Sequence, residues 1–205
     1  MMRCCAKYAR TGVAIATPQV LTPCTDAMVD EVVVATRRWL ERAVSGLNLC
    51  PFAKAVHVKQ QIRYAVTAAT TADTLLAELE HELQLLAQTD TAEIDTTVLI
   101  HPLVMNDFID YHFFLGEADA TLKRLGFDGV IQIASLHPHY EFSGSDSDDI
   151  DNYTNRSPYP TLHLLREASI DRAVVAFPDA SEIFERNIET LRRLGHAGWR
   201  RLWLE

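Results

Sequence analysis

The sequence is poor in cysteine, glycine, proline and basic residues, and each shortage closes off a class of protein. Three of the four cysteines, Cys4, Cys5 and Cys24, precede residue 25, and the rest of the chain holds only Cys50. One cysteine builds no disulfide framework, and adjacent Cys4 and Cys5 lack a zinc-chelating spacing, so a reducing, cytoplasmic compartment is expected. Eight glycines and eight prolines in 205 residues leave no room for collagen-like or low-complexity sequence. The longest apolar run near the start, Val13-Ala14-Ile15-Ala16, is too short for a signal-peptide core. Nothing later approaches a membrane span, so no membrane partner is expected. Nineteen bases face 28 acids, a formal net charge of −9. That balance argues against nucleic acid, whose phosphates attract stripes of Lys and Arg.

What is present is a globular composition, 48% hydrophobic and 23% charged, long enough for one domain. The first 25 residues hold Arg3, Lys7 and Arg10 and no acid, and show no helical or strand period. Residues 1–27 are therefore expected to form a disordered tail and residues 28–205 a single globular domain.

From Met28 the pattern is regular. Val29, Val32, Val33, Leu40, Ala43, Val44 and Leu47 recur at helical spacing, ended by Gly46 and Pro51. Residues 61–67 alternate like a half-buried strand. Thr70-Thr71-Ala72-Asp73 resembles a capping box ahead of a leucine stripe from Leu75 to Leu86. Thr96 to Ile100 is a β-branched run typical of a buried strand. A helix capped by Asn106 and closed by Gly126 follows, then a second buried run, Gly129 to Ala134. After an aperiodic stretch, Leu162 to Phe177 reads as helix, and Asp179-Ala180-Ser181-Glu182 opens another that stops at Gly195. The β-α-β-α-β alternation predicts an α/β fold, a three-stranded, mostly parallel sheet with helices packed on it, with α+β as the alternative.

Two of these strands end alike, at His101-Pro102 and at His137-Pro138. In a parallel sheet such ends share one rim, where ligands collect. For His101 a ring bonded to backbone is the simpler reading. For His137 a functional one is favoured, because His139 and Tyr140 follow and an aperiodic loop runs on to Pro160. Its acidic middle (Asp146, Asp148, Asp149 and Asp151) lacks the calcium-loop spacing and reads as a solvated segment. Its far flank, Asn155, Arg156 and Ser157, leads toward His163 and Arg166 at the start of the predicted helix. Helix N-termini hold anions, and arginine forks add bidentate contacts, so Asn155, Arg156, Ser157 and Arg166, with Tyr140, are candidate ligands for a small anion. His137, His139 and His163 are candidate acid–base groups, and His137 with His139 is a candidate pair for a divalent metal cofactor, with Asp107 or a loop aspartate as third ligand. Cys50 is a further nucleophile candidate, although it follows a predicted helix C-terminus, where a thiolate is disfavoured.

The blocks Gly46-Leu47-Asn48-Leu49-Cys50-Pro51-Phe52-Ala53, His101-Pro102, His137-Pro138-His139-Tyr140, Thr154 to Pro160 and Leu162 to Ser169 resemble a mostly bacterial family, domain of unknown function 1415. The resemblance runs from about Met28 to Leu194 and implies a stand-alone domain, with no activity attached. Three functions follow as expectations. The first is a small enzyme acting on an anionic small molecule, with or without a metal. The second is a non-catalytic anion-binding or sensing module. The third is an interaction module that uses the loop 137–160.

Overall fold

The computed structural model describes residues 25–176 and 182–203. Most of the expected tail, and residues 179–181 of the second capping box, lie outside them. Among the described residues the chain forms six α-helices and one four-stranded sheet, a mixed α/β fold.

Helix α1 (Asp26–Trp39) is capped by Thr25, whose hydroxyl accepts from the Met28 N–H at 3.3 Å. It runs into a π-helical turn, Leu40–Ser45. The turn closes on Gly46, where a Cβ would lie 2.3 Å from the Arg42 carbonyl oxygen, so no larger residue fits without moving backbone. Asn48 then takes a left-handed conformation (φ 56°), which asparagine tolerates better than most. Cys50 is extended, and Pro51 opens helix α2 (Pro51–Val58) at a position that needs no N–H. The Gly46–Pro51 block is thus a short connection between the π turn and α2, with Gly46, Asn48 and Pro51 matched to the backbone they adopt.

Strand β1 (Ile62–Val66), helix α3 (Ala72–Gln88), strand β2 (Thr96–Ile100), helix α4 (Phe108–Arg124) and strand β3 (Ile131–Leu136) follow the predicted order. Thr71 and Thr74 form the box that caps α3. Asp107, not Asn106, caps α4, its Oδ1 accepting from the Ile109 and Asp110 N–H groups at 2.8 and 3.2 Å. Gly126, at φ 77°, ends that helix as predicted.

The sheet corrects the three-stranded prediction. Thr161–Arg166, read from sequence as the first turns of a helix, is a fourth strand, β4, and the sheet order is β1-β2-β4-β3. β1 and β2 pair in parallel, whereas β4 is antiparallel to both β2 and β3. The six residues Thr-Leu-His-Leu-Leu-Arg alternate as a strand does, but they run without a loop into α5 (Glu167–Ala176). An apolar run that short fits either period. Helix α6 (Ile183–Arg201) carries a break at Gly195 (φ 61°, ψ 171°), where the sequence predicted its end, and then resumes.

Alternation along the strands divides the hydrophobic contacts between two faces. Leu99, Ile131, Leu162 and Leu164 pack against Leu75, Leu79, Leu83 and Leu86 of α3 and Tyr111, Phe114 and Ala118 of α4. Each buried leucine contributes about 1.5–3 kcal/mol. Arg63 of β1 joins this face through a bidentate pair with buried Glu82, at 2.7 and 2.8 Å. On the other face Val98 and Ile100 meet Val32 of α1. Trp39, Leu40, Leu49, Leu191 and Trp199 form a further cluster from α1, the π turn and α6. No helix among the described residues is long and apolar enough to cross a membrane.

Tyr111 ties α4 to the sheet. Its hydroxyl donates to the Thr161 carbonyl at 2.8 Å and accepts from the Leu136 N–H at 3.1 Å, bridging the last register pair of β3 and β4. Tyr111→Phe removes that bridge and leaves both backbone groups unpaired where Tyr111 is fully buried. A loss of about 1–3 kcal/mol of stability is expected in urea unfolding; an unchanged midpoint would show that the bridge contributes nothing.

Candidate functional site

The sequence candidates fall mainly into two places, the rim where β2 and β3 end and a cavity over one face of the sheet. At the rim where β2 and β3 end, His101 and His137 do share an edge, but β4 lies between their strands. The Tyr111 ring sits between the two imidazoles, 5.8 Å from His101 and 5.1 Å from His137, roughly parallel to both. Phe108 continues this row, its ring tilted against His137 at 5.4 Å and against Tyr140 at 5.3 Å.

Both histidine rings are fastened to backbone. His101 Nδ1 donates to the Val104 carbonyl at 3.1 Å, and its Nε2 has no partner. His137 Nδ1 accepts the N–H of His139 at 3.0 Å, which places the ring proton on Nε2, bonded to the Met105 carbonyl at 3.0 Å. Burial pushes both rings below the ordinary histidine pKa, His101 to about 4. With both its nitrogens engaged, His137 has none to offer a metal beside His139, and Asp107 is committed to the α4 cap. Among the described residues no group of three or more His, Cys, Asp or Glu side chains is placed to hold a metal ion.

The loop 137–160 orders itself around a residue the sequence gave no reason to single out. Asn152 is fully buried; its Oδ1 accepts from the Phe142 N–H at 3.0 Å and the Ser145 hydroxyl at 2.7 Å, and its Nδ2 donates to the Asp146 carbonyl at 2.8 Å. Asp149 caps the short 3₁₀ turn Ile150–Thr154, and Asp151 pairs with Arg192 of α6. Arg156 donates to the Tyr140 and Ser147 carbonyls and lies over the Tyr153 ring at 4.4 Å. Ser157 donates to the Tyr159 carbonyl, and Asn155 to that of Ser135.

The expected anion site on a helix N-terminus is therefore not assembled. Its helix start is strand β4, and Arg166, the last residue of that strand, donates to the carbonyls of Leu86, Thr89 and Ile94. These include carbonyls that the end of α3 leaves open. Arg156 and Arg166 serve separate backbone segments rather than one ligand.

The second place is a cavity of about 910 Å³ over the sheet face opposite α3 and α4. Val98, His163 and Ala134 form its floor as one register row across β2, β4 and β3. The walls are mostly apolar: Trp39, Leu40, Val44 and Leu49 from α1 and the π turn and its exit, Ala53 and Val56 from α2, Ile170 and Ala173 from α5. Of the sequence candidates it gathers Cys50, Asn155, His163 and Arg166. His137, His139, Tyr140, Arg156 and Ser157 are not among its lining residues.

His163 is the polar centre of this floor. The Thr96 hydroxyl donates to the Leu164 carbonyl at 2.6 Å, so it accepts from His163 Nε2–H at 2.7 Å. That fixes the neutral tautomer and leaves Nδ1 a lone-pair acceptor with no protein donor among the described residues. Burial holds the ring neutral, with its pKa down to about 4.

Cys50 stands where the sequence did not put it. It is the N-cap of α2, not merely a residue beyond a helix C-terminus. Burial pushes the thiol up from its ordinary pKa, while the N–H groups of Ala53 and Phe52 pull it down. At the other end of the cavity, the Ser169 hydroxyl donates to Asp95 at 2.5 Å and receives Arg172 at 2.8 Å. Asp95 and Ser169 stand 74 residues apart, and only the pairing of β2 with β4 brings them together.

The two histidines with pKa brought down to about 4, His101 and His163, give a definite pH dependence. Above about pH 6.5 His101 and His163 are neutral in both folded and unfolded chains. From there toward pH 4 the unfolded chain binds protons that the native rings refuse. Stability is thus full above pH 6.5 and falls by about 1.4 kcal/mol per pH unit per histidine as the pH drops. Urea midpoints followed between about pH 7 and 4.5 check this. His163→Gln is expected to flatten the slope by about one proton; an identical slope in the variant would exclude His163 as a contributor.

Comparison with known proteins adds one match and two blanks. No curated protein and no solved structure matches the chain. The model of one family, described as a protein of unknown function (DUF1415), matches residues 31–201. With this match across nearly all of the fold, the chain belongs to the DUF1415 family.

Proposed function

We propose that the domain binds a largely apolar small molecule in the cavity above β2, β4 and β3. The observation that carries this reading is the cavity itself, about 910 Å³ with mostly apolar walls and a few placed polar groups. Ligand sites have this character, with volumes of roughly 300–1,000 Å³. His163 supplies a fixed acceptor at its centre, and burial keeps the ring neutral, as an apolar guest requires. The residues carrying the family resemblance support the same place. Leu49, Cys50, Phe52 and Ala53 come from the first block, Thr154 and Asn155 from the loop block, and His163, Leu165, Arg166 and Ser169 from the last.

The binding of a fluorescent apolar probe such as anilinonaphthalene sulfonate or N-phenylnaphthylamine tests this. Wild type is expected to bind one equivalent, and Ala134→Trp, which fills the floor beside His163, to lose at least tenfold in affinity with unchanged circular dichroism. Equal binding by the variant, or none by wild type, defeats the proposal.

A catalytic reading of the same site is favoured by one observation: Cys50 lies at the N-terminus of α2 and lines the cavity that holds His163. In this version Cys50 is the nucleophile and His163 the proton acceptor, and Asn155 is a positioning group on the same cavity wall. Because burial raises the thiol pKa, alkylation by iodoacetamide is expected to be slow near pH 7 and to accelerate with pH. Occupation of the cavity by the probe is expected to protect the thiol. Labelling as fast as that of a free thiol, or unaffected by the probe, would remove Cys50 from the site.

A further inference from the structure

The charged residues around the cavity have the wrong sign for this protein. The chain has 28 acids and 19 bases, yet the charged lining residues are Lys59, Arg166 and Arg172 against Asp95 alone. They are also gathered at one end. The lining residues exposed to solvent are Ala55 and Lys59 from α2 and its end, Thr91, Ala92 and Gln132 from near the starts of β2 and β3, and Arg172 from α5, which follows the end of antiparallel β4. This end is therefore the mouth. The lining residues Trp39, Leu40, Val44, Leu49 and Asn187 are buried, and beyond Lys59, Asp95, Arg166 and Arg172 the lining carries no charged side chain.

The three cations are not equivalent. Arg166 is spent on the Leu86, Thr89 and Ile94 carbonyls. Arg172 gives one N–H to the Ser169 hydroxyl, which in turn is held by Asp95. A guanidinium has five N–H donors, so most of the fork is left for a guest. Lys59 stands at the same mouth with three donors on a flexible stem. With Asp95 offsetting one charge, the mouth suits one negative charge rather than a polyanion.

We infer that the occupant is an apolar carboxylic acid, its carboxylate at Arg172 and Lys59 and its hydrocarbon body laid inward over Val98, His163 and Ala134. This rests on the reading that the cavity is a ligand site, and it names the ligand class. The geometry limits the body too. From Gln132 to Leu136 the floor runs four residue steps, about 14 Å at strand rise, the length of a medium acyl chain or a fused-ring skeleton. His163 lies midway along this path, so a body with a hydroxyl there gains a hydrogen bond to Nδ1.

Decanoate and decanol, one with the charge and one without, separate the two claims. Their affinities are measured by displacement of the apolar probe and by calorimetry, for wild type and for Lys59→Gln/Arg172→Gln. Both side chains are exposed, so the substitutions are expected to leave the circular dichroism unchanged. Wild type is expected to bind decanoate more tightly than decanol. The double variant is expected to lose about tenfold for decanoate and less than twofold for decanol, as two partly exposed charge contacts allow. Equal affinity of wild type for both ligands, or equal weakening of both in the variant, overturns the carboxylate assignment and leaves the cavity reading standing. Failure of both ligands to bind wild type overturns the carboxylate assignment and the cavity reading together.

Discussion

Everything distinctive in this fold depends on the hydrogen-bonded position of β4, antiparallel to both neighbours and inserted between strands that would otherwise pair with each other. The helical crossover between β2 and β3 runs them in the same direction but leaves a strand's width between them, and β4 returns to fill it. Because side chains alternate along a strand, this one insertion assigns Leu162 and Leu164 to the core under α3 and α4, and His163 and Leu165 to the floor of the cavity. A one-residue slip would bury His163 among leucines and set Leu164 on the cavity floor. The Tyr111 hydroxyl, held between Leu136 and Thr161, pins the register at the rim.

The same insertion explains which parts of the fold could be read from sequence. α3 was legible because its leucine stripe and threonine cap agree, and β2 because five consecutive residues are buried from both sides. β4 was not, since its alternation lasts six residues and is joined directly to a helix. The cavity was illegible for a deeper reason. Its lining comes from both sides of the chain's long-range pairings, Trp39 from α1, Asp95 before β2 and Arg172 from α5, and no local period marks residues that meet only in three dimensions.

The polar residues that looked most chemical in sequence turn out to be committed to the backbone. Arg156, Ser157, Asn155 and His137 all donate to main-chain carbonyls, and the same holds for Arg166 at the end of α3. The cause is the long loop. A segment with few ladder partners leaves many carbonyls without N–H donors, and a buried carbonyl left unpaired is costly. Arginine and asparagine supply several donors from one side chain, so a loop that must fold back on itself recruits the residue types that also bind anions. Composition alone does not separate the two uses. What separates them is how far the guanidinium is committed: Arg166 serves three carbonyls and Arg156 two with its face on Tyr153, whereas Arg172 gives one N–H to Ser169.

The cavity also needs a physical reason to stay open, since apolar walls facing one another gain free energy by closing. Its walls are held apart by polar fastenings that closure would break. Asn187 of α6 donates to the Leu49 carbonyl at 2.8 Å, fixing the π-turn exit from behind. Arg166 anchors the root of α5 to α3. Thr96 and His163 are locked to each other across β2 and β4, so neither side chain can swing to fill the space. The close packing at Gly46 fixes where α2 leaves the π turn, because the Arg42 carbonyl fills the space a side chain would take. Each fastening contributes to stability while leaving the volume between them unfilled. A fold that has to bury apolar surface tolerates such a void most easily where a guest completes the packing, which favours the cavity over the histidine-rich rim as the site of the proposed ligand.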